Sequence, residues 1–93
     1  MKVDNILIKR VGEVRKGISQ ATGNAWSARN ILLTGEDETG ELFINAVVDE
    51  GVWQQLGLHE GETASLHLRF RTKPFQSGFV ANDIRIINPQ NLN

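Results

Sequence analysis

The stretch Asp49-Glu50-Gly51-Val52-Trp53-Gln54-Gln55-Leu56-Gly57 decides how this chain is read. It is the one segment with helical spacing. Val52, Trp53 and Leu56 stand at i, i+1 and i+4, close to one face, while Asp49 suits the N-cap and Gly57 the C-terminal stop. Two turns cannot bury a core of their own. A helix over 50–56 is therefore predicted to act as a plug, covering the open end of something built from strands.

Strand signals flank it on both sides. Before it, Glu41-Leu42-Phe43-Ile44-Asn45-Ala46-Val47-Val48 is rich in strand formers; with Asn45 outward, Leu42, Ile44, Ala46 and Val48 face inward and Phe43 lies on the outer face. After it comes the tight turn Leu58-His59-Glu60-Gly61-Glu62. Ala64-Ser65-Leu66-His67-Leu68-Arg69-Phe70-Arg71 then alternates with period two, which directs Leu66, Leu68 and Phe70 to a core. Further out, Asp37-Glu38-Thr39-Gly40 is a polar turn joining a strand from Trp26 to Thr34 with the strand over 41–48 as an antiparallel hairpin. The first strand is predicted from Asn5 to Ile18, bending or bulging at Gly12. The last runs from Phe79 to Ile87 with Val80, Ile84 and Ile86 inward; Pro89 closes the fold, and the tail over 89–93 is expected to fray.

The order strand, strand, strand, helix, strand, strand in 93 residues predicts one domain with its core over about 5–88. The fold class expected is all-β: a five-stranded Greek-key barrel of the oligonucleotide/oligosaccharide-binding (OB) type, with one short helix between strands three and four. A small SH3-like barrel is the competing reading, but it usually lacks that helix. There is no cysteine, so neither a disulfide nor a thiolate metal site contributes. The apolar run Ile6-Leu7-Ile8 is far short of a signal peptide or a membrane span, and a cytoplasmic chain is expected.

The formal net charge of −1 conceals a strong segregation. Residues 1–35 carry a net +4, residues 36–62 carry eight acids and no base, and residues 63–93 carry a net +3. Conventional catalysis lacks its parts: there is no Cys, and the two histidines, His59 and His67, fit no metal or triad spacing. The acids Glu36, Asp37 and Glu38 read as a solvated turn. Neither an enzyme, a cofactor nor a metal is expected.

In an OB barrel, strand one pairs with strand four, and the loops joining strands one to two and four to five border one ligand face. That ordering draws together two basic segments: Arg15 and Lys16, which open the first loop, and Arg69, Arg71 and Lys73, which lead into the other. Arg29 joins them as a further basic candidate. Binding single-stranded nucleic acid needs cations along the phosphates and aromatic faces for the bases, and Trp26, Phe43 and Phe75 are the stacking candidates. Each has a plainer reading. Trp26 folds back over the barrel mouth, or is buried if a bulge near Arg29 exchanges the faces of its strand; Phe43 lies in a dimer interface; Arg69 and Arg71 are solvated or pair with the acidic hairpin of a neighbouring subunit.

Short motifs also resemble a family. Val11-Gly12-Glu13-Val14, Gly23-Asn24-Ala25-Trp26, Leu58-His59-Glu60-Gly61-Glu62 and Gly78-Phe79-Val80-Ala81-Asn82-Asp83-Ile84-Arg85 are similar to segments of small bacterial single-OB proteins related to the single-stranded-DNA-binding proteins. The resemblance spans about Val11 to Ile87 and implies an OB scaffold, oligomerisation as a dimer or tetramer, and single-stranded DNA binding. The chain departs from the flexible acidic tail typical of bacterial single-stranded-DNA-binding proteins, ending instead in an Asn-rich segment, so a recruiting role is not expected. Two functions are carried forward: a non-enzymatic single-stranded nucleic-acid binder, and a protein-interaction or oligomerisation module using the same face or an open barrel edge.

Overall fold

Alternation of apolar and polar residues builds six strands, seen in a computed structural model that describes residues 1–91 apart from the side chains of Lys73 and Asn91. They are β1 (Lys2–Val11), β2 (Arg15–Ile18), β3 (Ala25–Asp37), β4 (Gly40–Asp49), β5 (Thr63–Pro74) and β6 (Val80–Ile87); helix α1 (Glu50–Leu56) follows β4, and a single 3-10 turn (Pro89–Asn91) follows β6. The expected tail thus begins as that turn, and Leu92 and Asn93 lie outside the described residues.

All six strands share one sheet, in the order β1-β5-β6-β4-β3-β2. A further antiparallel pairing of β1 with β3, from Leu7 opposite Thr34 to Val11 opposite Ile31, closes the hydrogen bonds of five strands into a ring, with β2 attached to β3 alone. Every pairing is antiparallel except that of β4 with β6, which is parallel and made at Val47 and Arg85. Inside the ring lie Ile6 and Ile8 of β1, Ile31 and Leu33 of β3, Ala46 and Val48 of β4, Leu66 and Leu68 of β5, and Ile86 of β6. Each set follows the period-two rule, since neighbours in a strand point to opposite faces.

Helix α1 takes the bounds its sequence signals set. The Asp49 carboxylate accepts from the Gly51 amide at 3.0 Å, and Gly57 ends the helix at φ 64°, a left-handed conformation that costs glycine little. Trp53 is 5% exposed and packs into the core as the expected plug. A two-pronged ion pair ties the helix to β3: Arg29 donates from Nε to Glu50 Oε2 at 2.6 Å and from Nη2 to Oε1 at 2.7 Å. Gln54 adds a 2.7 Å donation to the same Oε1. These contacts, Arg29 foremost, hold the Glu50 carboxyl below its ordinary pKa.

Three sequence expectations change. The first strand begins at Lys2 and does not run unbroken to Ile18; residues 12–14 interrupt it between β1 and β2. The Gly12 amide donates to the Asn30 carbonyl at 2.8 Å, and a Cβ on Gly12 would sit 2.7 Å from that oxygen, so the chain passes too close to β3 for a side chain. Phe70 and Val80, expected in the core, are exposed, because β1 covers β5 only as far as Leu68 and the two residues lie past the closed part of the ring. Leu42, at the same end of β4, is exposed for a related reason: β6 reaches β4 only at Val47.

Candidate functional site

The β2–β3 register fixes the first wall of an outer groove. Arg15 pairs with Ala28 and Gly17 with Trp26, so Arg15 and Trp26 share the outer face while Lys16 and Ile18 stand on the other. Gly17 has no side chain, and the Trp26 indole fills the space over it. A Cβ there would lie 2.5 Å from Cζ2, 2.7 Å from Cε2 and 3.0 Å from Nε1. Packing an aromatic over a cross-strand glycine restrains its ring while leaving the far side open; Trp26 remains 43% exposed. The loop before it is stitched by its own backbone, with Ser19 donating to the Asn24 carbonyl at 2.8 Å and Gly23 to the Ser19 carbonyl at 2.7 Å.

The second wall comes from β4 and β6. Asn30 faces Val47 on β4, and Val47 is in parallel register with Arg85 on β6, which lies opposite Arg69 on β5. Arg15 donates from Nη2 to the Asn30 side-chain oxygen at 3.0 Å. Arg85 donates from Nε to Asp83 at 3.2 Å. The space between the walls is an open groove of 610 Å3, lined by Arg15, Trp26, Val47 and Arg85 together with Ser19, Ser27, Asn82, Asp49 and Asp83. Of its two acids, Asp83 pairs with Arg85 inside the groove and offsets that charge, while Asp49 caps the helix. The guanidinium of Arg15 is bonded only to a neutral amide.

The residues singled out from sequence are thus divided. Arg15 and Trp26 line the groove. Phe43 is exposed on the same outer face, opposite Thr34, roughly 13 Å along β4 from Val47 at about 3.3 Å per residue. Arg69 and Arg71 stand one strand beyond the groove, and Phe75 is in the β5–β6 turn, where its amide donates to the Phe79 carbonyl at 2.8 Å. The Lys73 side chain lies outside the described residues. Arg29 is withdrawn by its pair with Glu50: both side chains are about one-fifth exposed, and the guanidinium also donates to the Gly12 carbonyl at 3.3 Å. Among the described residues the ion pairs are Lys2 with Asp4, Arg29 with Glu50 and Arg85 with Asp83, which leaves Arg15, Lys16, Arg69 and Arg71 without a carboxylate partner.

Sequence reading missed Arg85 and Asn30. The signal for Arg85 was present, since Ile84 and Ile86 inward force Arg85 outward, but its neighbour across the sheet depends on the parallel contact with β4.

Among the described residues no three His, Cys, Asp or Glu side chains are grouped to hold a metal ion, and no helix is long and apolar enough to cross a membrane. Asp37 has a lowered pKa because the Thr39 hydroxyl and amide both donate to it, and it lies in the β3–β4 turn, far along the sheet from the groove. Fold and site together define a small all-β protein with a cation-bearing, aromatic-edged groove on its outer face. No family model, curated protein or solved structure matches the chain.

Proposed function

We propose that this chain is a single OB-type barrel that binds single-stranded nucleic acid in the groove between Trp26 and Arg85, without catalysis. With β1 and β2 counted as one interrupted strand, the closed five-strand ring and the parallel β4–β6 contact support that reading. The face of β3 and β4, bordered by the loops over 19–24 and 75–79, is then the ligand face of that topology.

One observation carries the reading: an aromatic ring restrained on one side and open on the other stands beside an arginine with no carboxylate partner. A stacked base needs the ring, and its phosphate needs the cation. Trp26 stacks a base, for about 1–3 kcal/mol. Arg15 neutralises a phosphate, Asn30 on the same face supplies a hydrogen bond, and Phe43 offers a second platform further along the face. Arg69 and Arg71 fall outside this path, and Phe75 stands in the loop that borders it.

Neutralising one phosphate through Arg15 gives a slope of about −0.7 for log K against log salt on a single strand. Fluorescence anisotropy of a labelled oligo-dT tests this. Binding at low salt that weakens with that slope supports it, and no binding at low salt with protein at tens of micromolar refutes it.

A further inference from the structure

An arm and a cleft stand at the same end of the molecule. Helix α1 follows β4 and β6 runs parallel to β4, so the starts of β4 and β6 both lie at the end away from α1. There β5 and β6 outrun the ring. Arg71–Pro74 and Val80–Asp83 pair only with each other, forming a two-stranded arm, rooted at Arg69 and Phe70, whose outer edges are joined to no other strand among the described residues. Unpaired edges of this kind are open to pairing with another chain. The arm carries Phe70 and Val80 on the face that continues the core side, with Phe75 and Phe79 at its turn; Phe70 is 54% exposed and Phe79 76%. Its opposite face carries Arg69 and Arg71.

The cleft lies between the first half of β1 and the hairpin ends of β3 and β4, and has a volume of 780 Å3. Its apolar side chains Ile6, Leu42 and Ile44 are accompanied by three exposed acids, Asp4, Glu36 and Glu41. Asp4 is shared with Lys2 at 3.9 Å. Glu36 and Glu41, however, sit directly opposite each other in the β3–β4 register, and neither has a cation or hydrogen-bond partner among the described residues. Like charges opposed across a strand pair destabilise it. A cation brought from outside relieves them.

We infer that the cleft receives the arm of a second copy of this chain. The two surfaces match in kind: unpartnered arginines meet unpartnered glutamates, and exposed phenylalanines meet an apolar floor. Both are open within one chain, so the arm does not fill its own cleft. Because they lie at one end, two copies exchange arms about a two-fold axis, which closes the contact as a dimer and avoids an open filament. The arm shares Ala81, Asn82 and Asp83 with the border of the groove, but Arg69, Arg71, Glu36, Glu41 and Phe79, the residues altered to test the contact, do not line it.

Sedimentation velocity on the full chain, over a range of concentration and salt, tests it. The wild type is expected to dimerise at low salt and to dissociate as salt rises. Arg69→Glu/Arg71→Glu and, separately, Glu36→Lys/Glu41→Lys are each expected to weaken self-association by at least about tenfold, since like charges then face each other. Mixing the two reversed chains is expected to restore a dimer. Circular dichroism confirms that each variant is folded, and Phe79→Ser, at an exposed turn, provides a second route to the monomer. A wild type that stays monomeric at every concentration, or a dimer indifferent to both charge reversals, overturns the inference. Oligo-dT binding by Phe79→Ser, which changes no charge and no groove residue, reports on the groove alone.

Discussion

Replacing Gly17 by alanine introduces a methyl carbon where the Trp26 indole now lies. The new carbon would be 2.5 Å from Cζ2 and 2.7 Å from Cε2, against an optimal carbon separation of about 3.5–4.0 Å. The ring therefore retreats by about 1 Å or turns about its side-chain bonds. The backbone need not follow, because the clash is with a side chain on an exposed face. The effect on stability is small: lost cross-strand packing costs about 0.2–1 kcal/mol, and removing a strand glycine returns about 0.4–1 kcal/mol through the unfolded chain. The effect on the site is not small. If Trp26 is a restrained stacking platform, its displacement forfeits up to the 1–3 kcal/mol of a stacked base, or about 5- to 150-fold in Kd. The two indole N–H cross-peaks of the 15N-labelled protein give the structural readout. That of Trp26 is expected to shift while that of Trp53, 5% exposed in the core, stays in place, with the urea midpoint nearly unchanged and oligo-dT affinity reduced. A variant whose Trp26 resonance and affinity both match the wild type would refute the reasoning.

Other outcomes follow from the same contacts. Trp53→Ala should lower stability by about 3–5 kcal/mol, as truncation of a buried aromatic does, measured by urea denaturation. Glu50 has a folded pKa below its unfolded value, so its pair with Arg29 contributes stability above the ordinary glutamate pKa of about 4.3, and that contribution is lost as pH falls through the folded value. The difference in urea midpoint between wild type and Glu50→Gln is therefore expected to be constant near neutral pH and to shrink in acid; a difference that grows in acid would contradict the sign. Arg15→Gln should reduce the salt slope of oligo-dT binding by about 0.7. Arg29→Gln should leave that slope unchanged while lowering stability, since Arg29 is committed to Glu50.

What could be read from sequence divides by the range of the interaction concerned. The helix over 50–56 and the hairpin turn over 37–40 were legible because Asp49, Gly57, Asp37 and Gly40 act on neighbours a few residues away. The inward sets at Ile44, Ala46 and Val48 and at Leu66 and Leu68 were legible because alternation is local. Phe70 and Val80 keep their parity with the core set, yet stand in the open because the end of β1 decides where the ring stops. The break at Gly12 depends on its approach to the Asn30 carbonyl, and the withdrawal of Arg29 depends on α1 presenting Glu50 to β3; both are contacts across the fold. Arg15 and Trp26 share a face because β2 pairs with β3 in one register, and Arg85 joins them through a parallel strand contact. Neither arrangement has a local signal in the chain.

The central claim is that a restrained Trp26 beside Arg15 forms a surface for single-stranded nucleic acid. Titration of a labelled oligo-dT with wild-type protein and with Trp26→Ala, at low salt and again at raised salt, tests it most directly. Salt-sensitive binding by the wild type is expected, with an affinity about 5- to 150-fold lower for the variant. Equal affinities for the two proteins, or no wild-type binding at low salt, would contradict it.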